Sequence, residues 1–156
     1  MGYLTKSQEC RIDIKGRLLF PAIHRKEIGE AVNEGFVVRR AVFTRSLELY
    51  TKTRWGKEVD RLVKNLNPYK KEHRAIIRNT LAGVKEIELD SAGRLLIPKD
   101  LLTFAEISDD VVIAGALSHL EIWSKVNYEN ELKSISADDY RDLVERELGG
   151  VGNFEE

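Results

Sequence analysis

Asp13-Ile14-Lys15-Gly16-Arg17-Leu18-Leu19-Phe20-Pro21 returns 77 residues later as Asp90-Ser91-Ala92-Gly93-Arg94-Leu95-Leu96-Ile97-Pro98. Asp, Gly, Arg, two Leu and Pro match in place. A second block recurs at an offset of 73: Leu47-Glu48-Leu49-Tyr50-Thr51-Lys52 matches Leu120-Glu121-Ile122-Trp123-Ser124-Lys125. Between the blocks, Val37-Val38 recurs as Val111-Val112 at an offset of 74. Three matches in one order mark an internal duplication. The drift in offset fits a longer connection in the first copy.

Each copy reads the same way physically. A short strand, Cys10–Asp13 or Ile87–Asp90, leads into a turn. The Asp carboxylate can close an Asx-type turn, and Gly supplies a positive φ at no steric cost. A strand follows over Arg17–Phe20 or Arg94–Ile97. Its apolar residues run together, which predicts burial on both faces. Pro then opens a short helix, Pro21–Ile28 or Pro98–Phe104, where its missing N–H costs nothing. The Val-Val and Leu-Glu-x-(Tyr/Trp) strands complete the unit. At about 45 residues, one unit is near the lower limit for an independent core. The two copies are therefore expected to intertwine as a pseudo-dimer within one chain.

The remaining segments read as helices. Trp55, Val59, Leu62, Val63 and Leu66 mark one helical face, Asn67-Pro68 breaks it, and Tyr69, Ile76, Ile77 and Leu81 mark a second helix. Ser136 fits an N-cap, with Asp138 and Asp139 in the first turn. Tyr140, Leu143, Val144 and Leu148 form a stripe that Gly149-Gly150 ends, and residues 151–156 are expected to fray. The expected organisation is a repeat over 7–54, a helical connector over 55–83, a second repeat over 84–127 and a C-terminal helical segment and tail over 128–156.

The 156 residues carry a formal net charge of −1, but the charge is unevenly placed. Residues 1–78 hold 18 Lys+Arg against 9 Asp+Glu, and residues 79–156 hold 7 against 17. Such asymmetry fits a polyanionic partner or head-to-tail self-association, unless the charges interleave on folding. No apolar run approaches the roughly 20 residues needed to cross a bilayer, and Met1–Lys6 has no apolar segment of a secretory signal. Cys10 is the sole cysteine. It fits a small buried side chain in a reducing, cytoplasmic setting. His24, His73 and His119 lie in no metal-ligand spacing, and there is no phosphate-binding loop or nucleophile elbow. Neither an enzyme nor a cofactor is expected.

With two Asp-x-x-Gly-Arg-x-x-x-Pro blocks, the Asn67-Pro68 break, and Val111-Val112-Ile113-Ala114-Gly115 leading to Leu120-Glu121-Ile122-Trp123, the chain resembles the MraZ family, within the AbrB-like swapped-hairpin superfamily. The resemblance implies an α+β fold of two tandem AbrB-like swapped-hairpin repeats forming an intertwined β-barrel core with flanking helices. It implies a transcriptional repressor of the division and cell-wall gene cluster, nucleoid-associated, assembled as a ring-shaped homo-oligomer on double-stranded DNA at direct repeats upstream of its own operon. No membrane or small-molecule substrate is implied. The family's DNA-contacting Arg corresponds to Arg17 and, by symmetry of the motif, to Arg94; Lys15 matches a common Asp-x-Lys-Gly-Arg form. The second copy departs from the pattern. Ala92 stands where the first has Lys15, Leu102 where Arg is common, and Glu106 where Gly is common. A weaker second site is therefore expected.

The residue chemistry fits such a role. An arginine fork can bind guanine O6 and N7 together. Lys15, Arg11 and Arg25 suit phosphates, which supply salt-dependent affinity without sequence information. Asp13 and Asp90, with Gly16 and Gly93, shape the turns. The competing structural role is that Arg17 and Arg94 merely pair with those aspartates. Arg39, Arg40 and Arg45, and Lys70, Lys71, Arg74 and Arg78, read as solvated or inter-subunit faces. The alternative function is an antitoxin-like protein-interaction module that binds DNA secondarily.

Overall fold

Both Asp-x-x-Gly-Arg turns form, and each belongs to two repeats at once. The computed structural model describes residues 2–149. Gly150 and the tail expected to fray lie outside them. The chain divides into two units, Met1–Lys125 and Val126–Glu156.

In the first unit, β1 (Ser7–Arg11) enters the first turn and β2 (Arg17–Leu19) leaves it. β5 (Lys85–Ile87) and β6 (Arg94–Leu96) do the same for the second turn. The entering strands end earlier than expected, because Asp13 and Asp90 belong to the turns. Their N–H groups donate to the carbonyls of Arg17 and Arg94 at 2.8 and 2.9 Å.

The other strands are β3 (Phe36–Arg40), β4 (Leu47–Thr51), β7 (Asp110–Gly115) and β8 (Leu120–Ser124). Their order is β1-β7-β8-β4-β3-β5, with β2 and β6 forming a separate two-stranded ribbon. β1 of the first repeat thus edges the second repeat's hairpin, and β5 of the second edges the first's. Register places equivalent residues opposite each other on a pseudo-two-fold axis: Leu18 faces Leu95 in the ribbon and Glu48 faces Glu121 in the sheet. The expected intertwining is present. Closure into a barrel is not part of the strand pairing among the described residues.

The ribbon corrects one expectation. Leu18, Phe20, Leu95 and Ile97 are buried in a core shared with Phe36, Val38, Leu49, Ile113 and Ile122. Leu19 and Leu96, however, are 61% and 56% exposed. A two-stranded ribbon offers only one face to a core, so period-two alternation prevails over the apolar run.

Short helices follow each ribbon strand: α1 (Ala22–Ile28), continued by a 3-10 segment over Gly29–Glu34, and α4 (Lys99–Ala105). Pro21 and Pro98 sit at the N-cap rather than inside the helix. Glu106 caps α4 in the left-handed region at φ 58°, where its equivalent on α1 is Gly29 at φ 77°. Left-handed backbone costs a residue bearing a Cβ about 1–2 kcal/mol, so Glu106→Gly is expected to stabilise the protein by about 1 kcal/mol after glycine's extra unfolded-state entropy is offset. An unchanged or lower urea midpoint would contradict this.

α2 (Lys52–Asn65) is capped by Thr51 Oγ1, which accepts from Arg54 N–H at 3.3 Å. Trp55, Val59, Leu62 and Leu66 form its half-buried stripe, whereas Val63 faces solvent. After Asn67-Pro68, Tyr69 lies exposed in a turn rather than on the second helix, and α3 (Lys71–Leu81) follows, with Ile77 half-buried and Ile76 and Leu81 exposed.

His24, on α1, is fully buried, with Nε2 3.1 Å from the Ile113 carbonyl. Its Nδ1 lies 4.0 Å from Glu27 Oε1. Burial lowers its pKa, opposed by the Ile113 bond and by Glu27. The folded state therefore binds fewer protons than the unfolded state through the imidazole range. Its stabilising contribution is full above about pH 6.5 and declines as pH falls from there towards the lowered folded value. A lower urea midpoint at pH 5.5 than at pH 7.5, with the difference reduced in His24→Phe, is expected. Equal differences in both proteins would contradict the assignment.

In the second unit, α5 (Lys125–Lys133) begins at the boundary, and α6 (Ala137–Leu148) is capped as expected: Ser136 Oγ accepts from Asp139 N–H at 3.0 Å. Its stripe of Tyr140, Leu143, Val144 and Leu148 is solvent-exposed.

Candidate nucleic-acid interface

The first turn is organised by the Asp13 carboxylate. Its Oδ1 accepts the N–H groups of Lys15 and Arg17 at 3.0 and 2.9 Å, and its Oδ2 accepts from Arg17 Nε at 2.8 Å. Gly16 closes the loop by donating to the Asp13 carbonyl, at a φ of 88°. The second turn repeats this bond for bond. Asp90 Oδ1 accepts from Ala92 and Arg94 N–H, both at 2.9 Å, and Oδ2 accepts from Arg94 Nε at 3.1 Å. The backbone N–H of Arg17 or Arg94 is the main influence holding each aspartate below the usual carboxylate range, so both stay ionised near neutrality.

Pairing with Asp and presentation to solvent are thus compatible. Only Nε of each arginine is committed, and among the described residues the Nη groups have no partner. The side chains of Arg17 and Arg94 are 32% and 37% exposed. They share the ribbon's outer face with Leu19 and Leu96, because residues 17, 19, 94 and 96 alternate with the buried ones. Cross-strand pairs place Arg17 opposite Leu96 and Leu19 opposite Arg94.

The remaining candidates are placed differently. Lys15 is exposed beside the first turn. Arg11 is exposed but engaged, with Nη2 2.6 Å from Asp109 Oδ1 and Nε 3.5 Å from Asp110. Arg25 lies at the second turn, not the first: a cleft of about 400 Å³ is lined by Arg25, Asn33, Glu88 and the Asp90–Gly93 segment. Sequence order hid this placement; the signal was the 77-residue offset combined with strand exchange.

Arg39 overturns its expected solvated role. It is 5% exposed. Its Nε donates to Glu48 at 2.9 Å and its Nη2 to Glu58 at 2.8 Å and the Tyr50 hydroxyl at 3.1 Å. The guanidinium also lies over the Tyr50 and Trp55 rings, at 5.3 and 5.2 Å from their centroids. Its charge alone suggested a solvated or inter-subunit face; the helix α2 that covers the sheet's outer face is what buries it. Arg40 and Arg45 remain exposed and stack over Phe104.

Cys10 is half-buried, and burial pushes its thiol up to about 11, so it is not an activated nucleophile. Among the described residues no cluster of His, Cys, Asp and Glu could hold a metal ion, and no helix is long and apolar enough to cross a membrane.

Two bond-for-bond equivalent arginine turns, joined by one ribbon and edged by exchanged strands, define a duplicated swapped-hairpin protein. Comparison with known proteins gives the family. The profile described as "MraZ protein, putative antitoxin-like" matches residues 3–79 and again 80–150. The chain is 43% identical to the transcriptional regulator MraZ of Christiangramia forsetii, over 94% of this chain and 93% of that one. It is 40% identical to that of Flavobacterium psychrophilum, over 99% and 98%. Against that of Cytophaga hutchinsonii the figure is 34%, over 95% and 96%. The chain belongs to the MraZ family, whose matched members are named as transcriptional regulators and not as enzymes.

Proposed function

We propose that this protein is a sequence-specific double-stranded DNA-binding regulator that represses its own operon in the division and cell-wall gene cluster. The observation that carries the reading is the pair of outward guanidinium groups, each fixed at Nε and open at Nη, on the ends of one exposed ribbon. The major groove admits a two-stranded ribbon, and an arginine fork there can distinguish guanine from other bases. Arg17 and Arg94 read base edges, while Lys15 and Arg25 contact phosphate. Arg11 joins them only by exchanging Asp109 for a phosphate. The protein works in the cytoplasm on the nucleoid, without a cofactor.

One protomer offers few contacts. Assembly of protomers in a ring on adjacent DNA repeats makes later contacts intramolecular, raising avidity by roughly 10²–10⁴. The basic first half of the chain facing the acidic second half of a neighbour suits such a heterologous interface. Light scattering that shows an unchanged oligomer at about 1 M salt would exclude a mainly electrostatic one.

A footprint on the DNA upstream of its own gene tests the function. Protection at evenly spaced short repeats is expected; uniform protection of unrelated DNA would refute specific readout. A protein-interaction module is the second reading, favoured by the profile's "antitoxin-like" description and the exposed stripe on α6. A stoichiometric unrelated partner that co-purifies with the protein, in the absence of an upstream footprint, would establish it.

A further inference from the structure

Strand exchange decides which cations stand at each turn. A Cβ on Gly16 would lie 3.1 Å from Cδ1 of Leu102, on the second repeat's helix α4. A Cβ on Gly93 would lie 2.6 Å from Nη2 of Arg25, on the first repeat's helix α1. Leu102 and Arg25 are the same position of the repeat, 77 residues apart. The backbone agrees: Phe20 N–H donates to the Gly93 carbonyl at 3.0 Å and Ile97 N–H to the Gly16 carbonyl at 2.8 Å. Each turn therefore rests on the other repeat's ribbon strand and helix.

The consequence concerns charge. The first turn carries Arg17 and Lys15 but sits over the aliphatic Leu102. The second carries Arg94 and has Ala92 in place of the lysine, but sits beside Arg25. Arg25 is exposed, and among the described residues its guanidinium has no hydrogen-bond or ion-pair partner. It is not needed to neutralise Asp90, whose oxygens are taken by two backbone N–H groups and Arg94 Nε. Glu88, which lines the same cleft, is itself exposed.

We propose that Arg25 and Arg94 form a second nucleic-acid contact site, complete within one chain, in which Arg25 supplies across the repeats the phosphate-binding charge that Lys15 supplies to the first turn. The inference rests on the DNA-binding reading above. It replaces the expectation of a weak second site with two turns that each pair an arginine with one further cation, Lys15 at the first and Arg25 at the second, drawn from different positions of the repeat.

Rescue between non-equivalent positions tests it. The full-length protein is titrated against a duplex of its own upstream DNA at several salt concentrations. Arg25→Gln is expected to bind roughly tenfold more weakly, with a log–log salt slope shallower by about 0.9 for each protomer in contact. Adding Ala92→Lys to Arg25→Gln is expected to restore both quantities, because it places a lysine where the first turn has one. Arg25→Gln is expected to add little to Arg94→Ala but its full effect to Arg17→Ala. Wild-type affinity and slope in Arg25→Gln, or failure of Ala92→Lys to rescue, would overturn the inference while leaving Arg17 and Arg94 as DNA contacts. Wild-type binding by both Arg17→Ala and Arg94→Ala would instead remove the DNA-binding reading, and this inference with it.

Discussion

Arg17→Ala is expected to abolish specific protection of the upstream DNA while leaving the fold and the oligomer unchanged. A bidentate arginine–guanine pair contributes about 1–3 kcal/mol of discrimination, and every protomer on the DNA loses one. In the proposed ring the loss compounds across neighbouring protomers, so discrimination collapses even though each step is modest. The fold survives because the turn is held chiefly by backbone: Asp13 Oδ1 still accepts two N–H groups, and Gly16 still closes the loop. The ion pair lost with the side chain is solvent-exposed and contributes little. With Arg25 beside the second turn, Arg94→Ala is expected to weaken specific binding about as much as Arg17→Ala. Footprinting paired with light scattering reads both outcomes. Full protection by Arg17→Ala would contradict base readout by the first turn; a dissociated or unfolded protein would make the residue structural.

Arg39→Ala is expected to be the most destabilising of the single changes considered, by about 3–5 kcal/mol, the range for removing one partner of a buried ion pair. Burial opposes the guanidinium's charge, yet Tyr50, Glu48 and Glu58 hold its pKa above the ordinary value. Glu58 shows the reciprocal effect: burial would raise its pKa, and Arg61 with Arg39 more than offset that. Without Arg39, Glu48 faces Glu121 across the pseudo-two-fold axis with one partner fewer. The space over the Tyr50 and Trp55 rings is also vacated. For a chain of this size the loss corresponds to a melting temperature lower by roughly 10 °C. Arg39→Ala combined with Glu48→Gln is expected to recover part of it. A cost below about 1 kcal/mol would mean that the cluster behaves as a surface ion pair.

The duplication and its turn chemistry were legible because they depend on local rules. Asp13 and Gly16 at fixed spacing dictate an Asx turn, and the 77-residue offset shows that the same turn forms twice. Mutual burial of the copies followed from their small size. What escaped was information carried by partners distant in sequence. Leu18-Leu19-Phe20 reads as one apolar run, and only the absence of a second covering layer turns Leu19 outward. Arg39 reads as surface until α2 is laid over the strand. Arg25 reads only as a phosphate contact of the first repeat until strand exchange brings it to Gly93. Glu106 is the converse case: the unusual residue was visible, and the left-handed cap explains why glycine suits that place.

The most direct measurement compares affinities. The full-length protein is titrated, at about 0.15 M salt, with a duplex of its upstream repeats and with a scrambled duplex of the same length and composition. If Arg17 and Arg94 meet base edges, the repeats bind at least about 10³-fold more tightly, and Arg17→Ala narrows that ratio by roughly tenfold or more, with Arg94 keeping the remainder. Equal affinities for the wild-type protein would show that the ribbon recognises only the charged backbone, and the proposed regulator would lose its means of finding an operator.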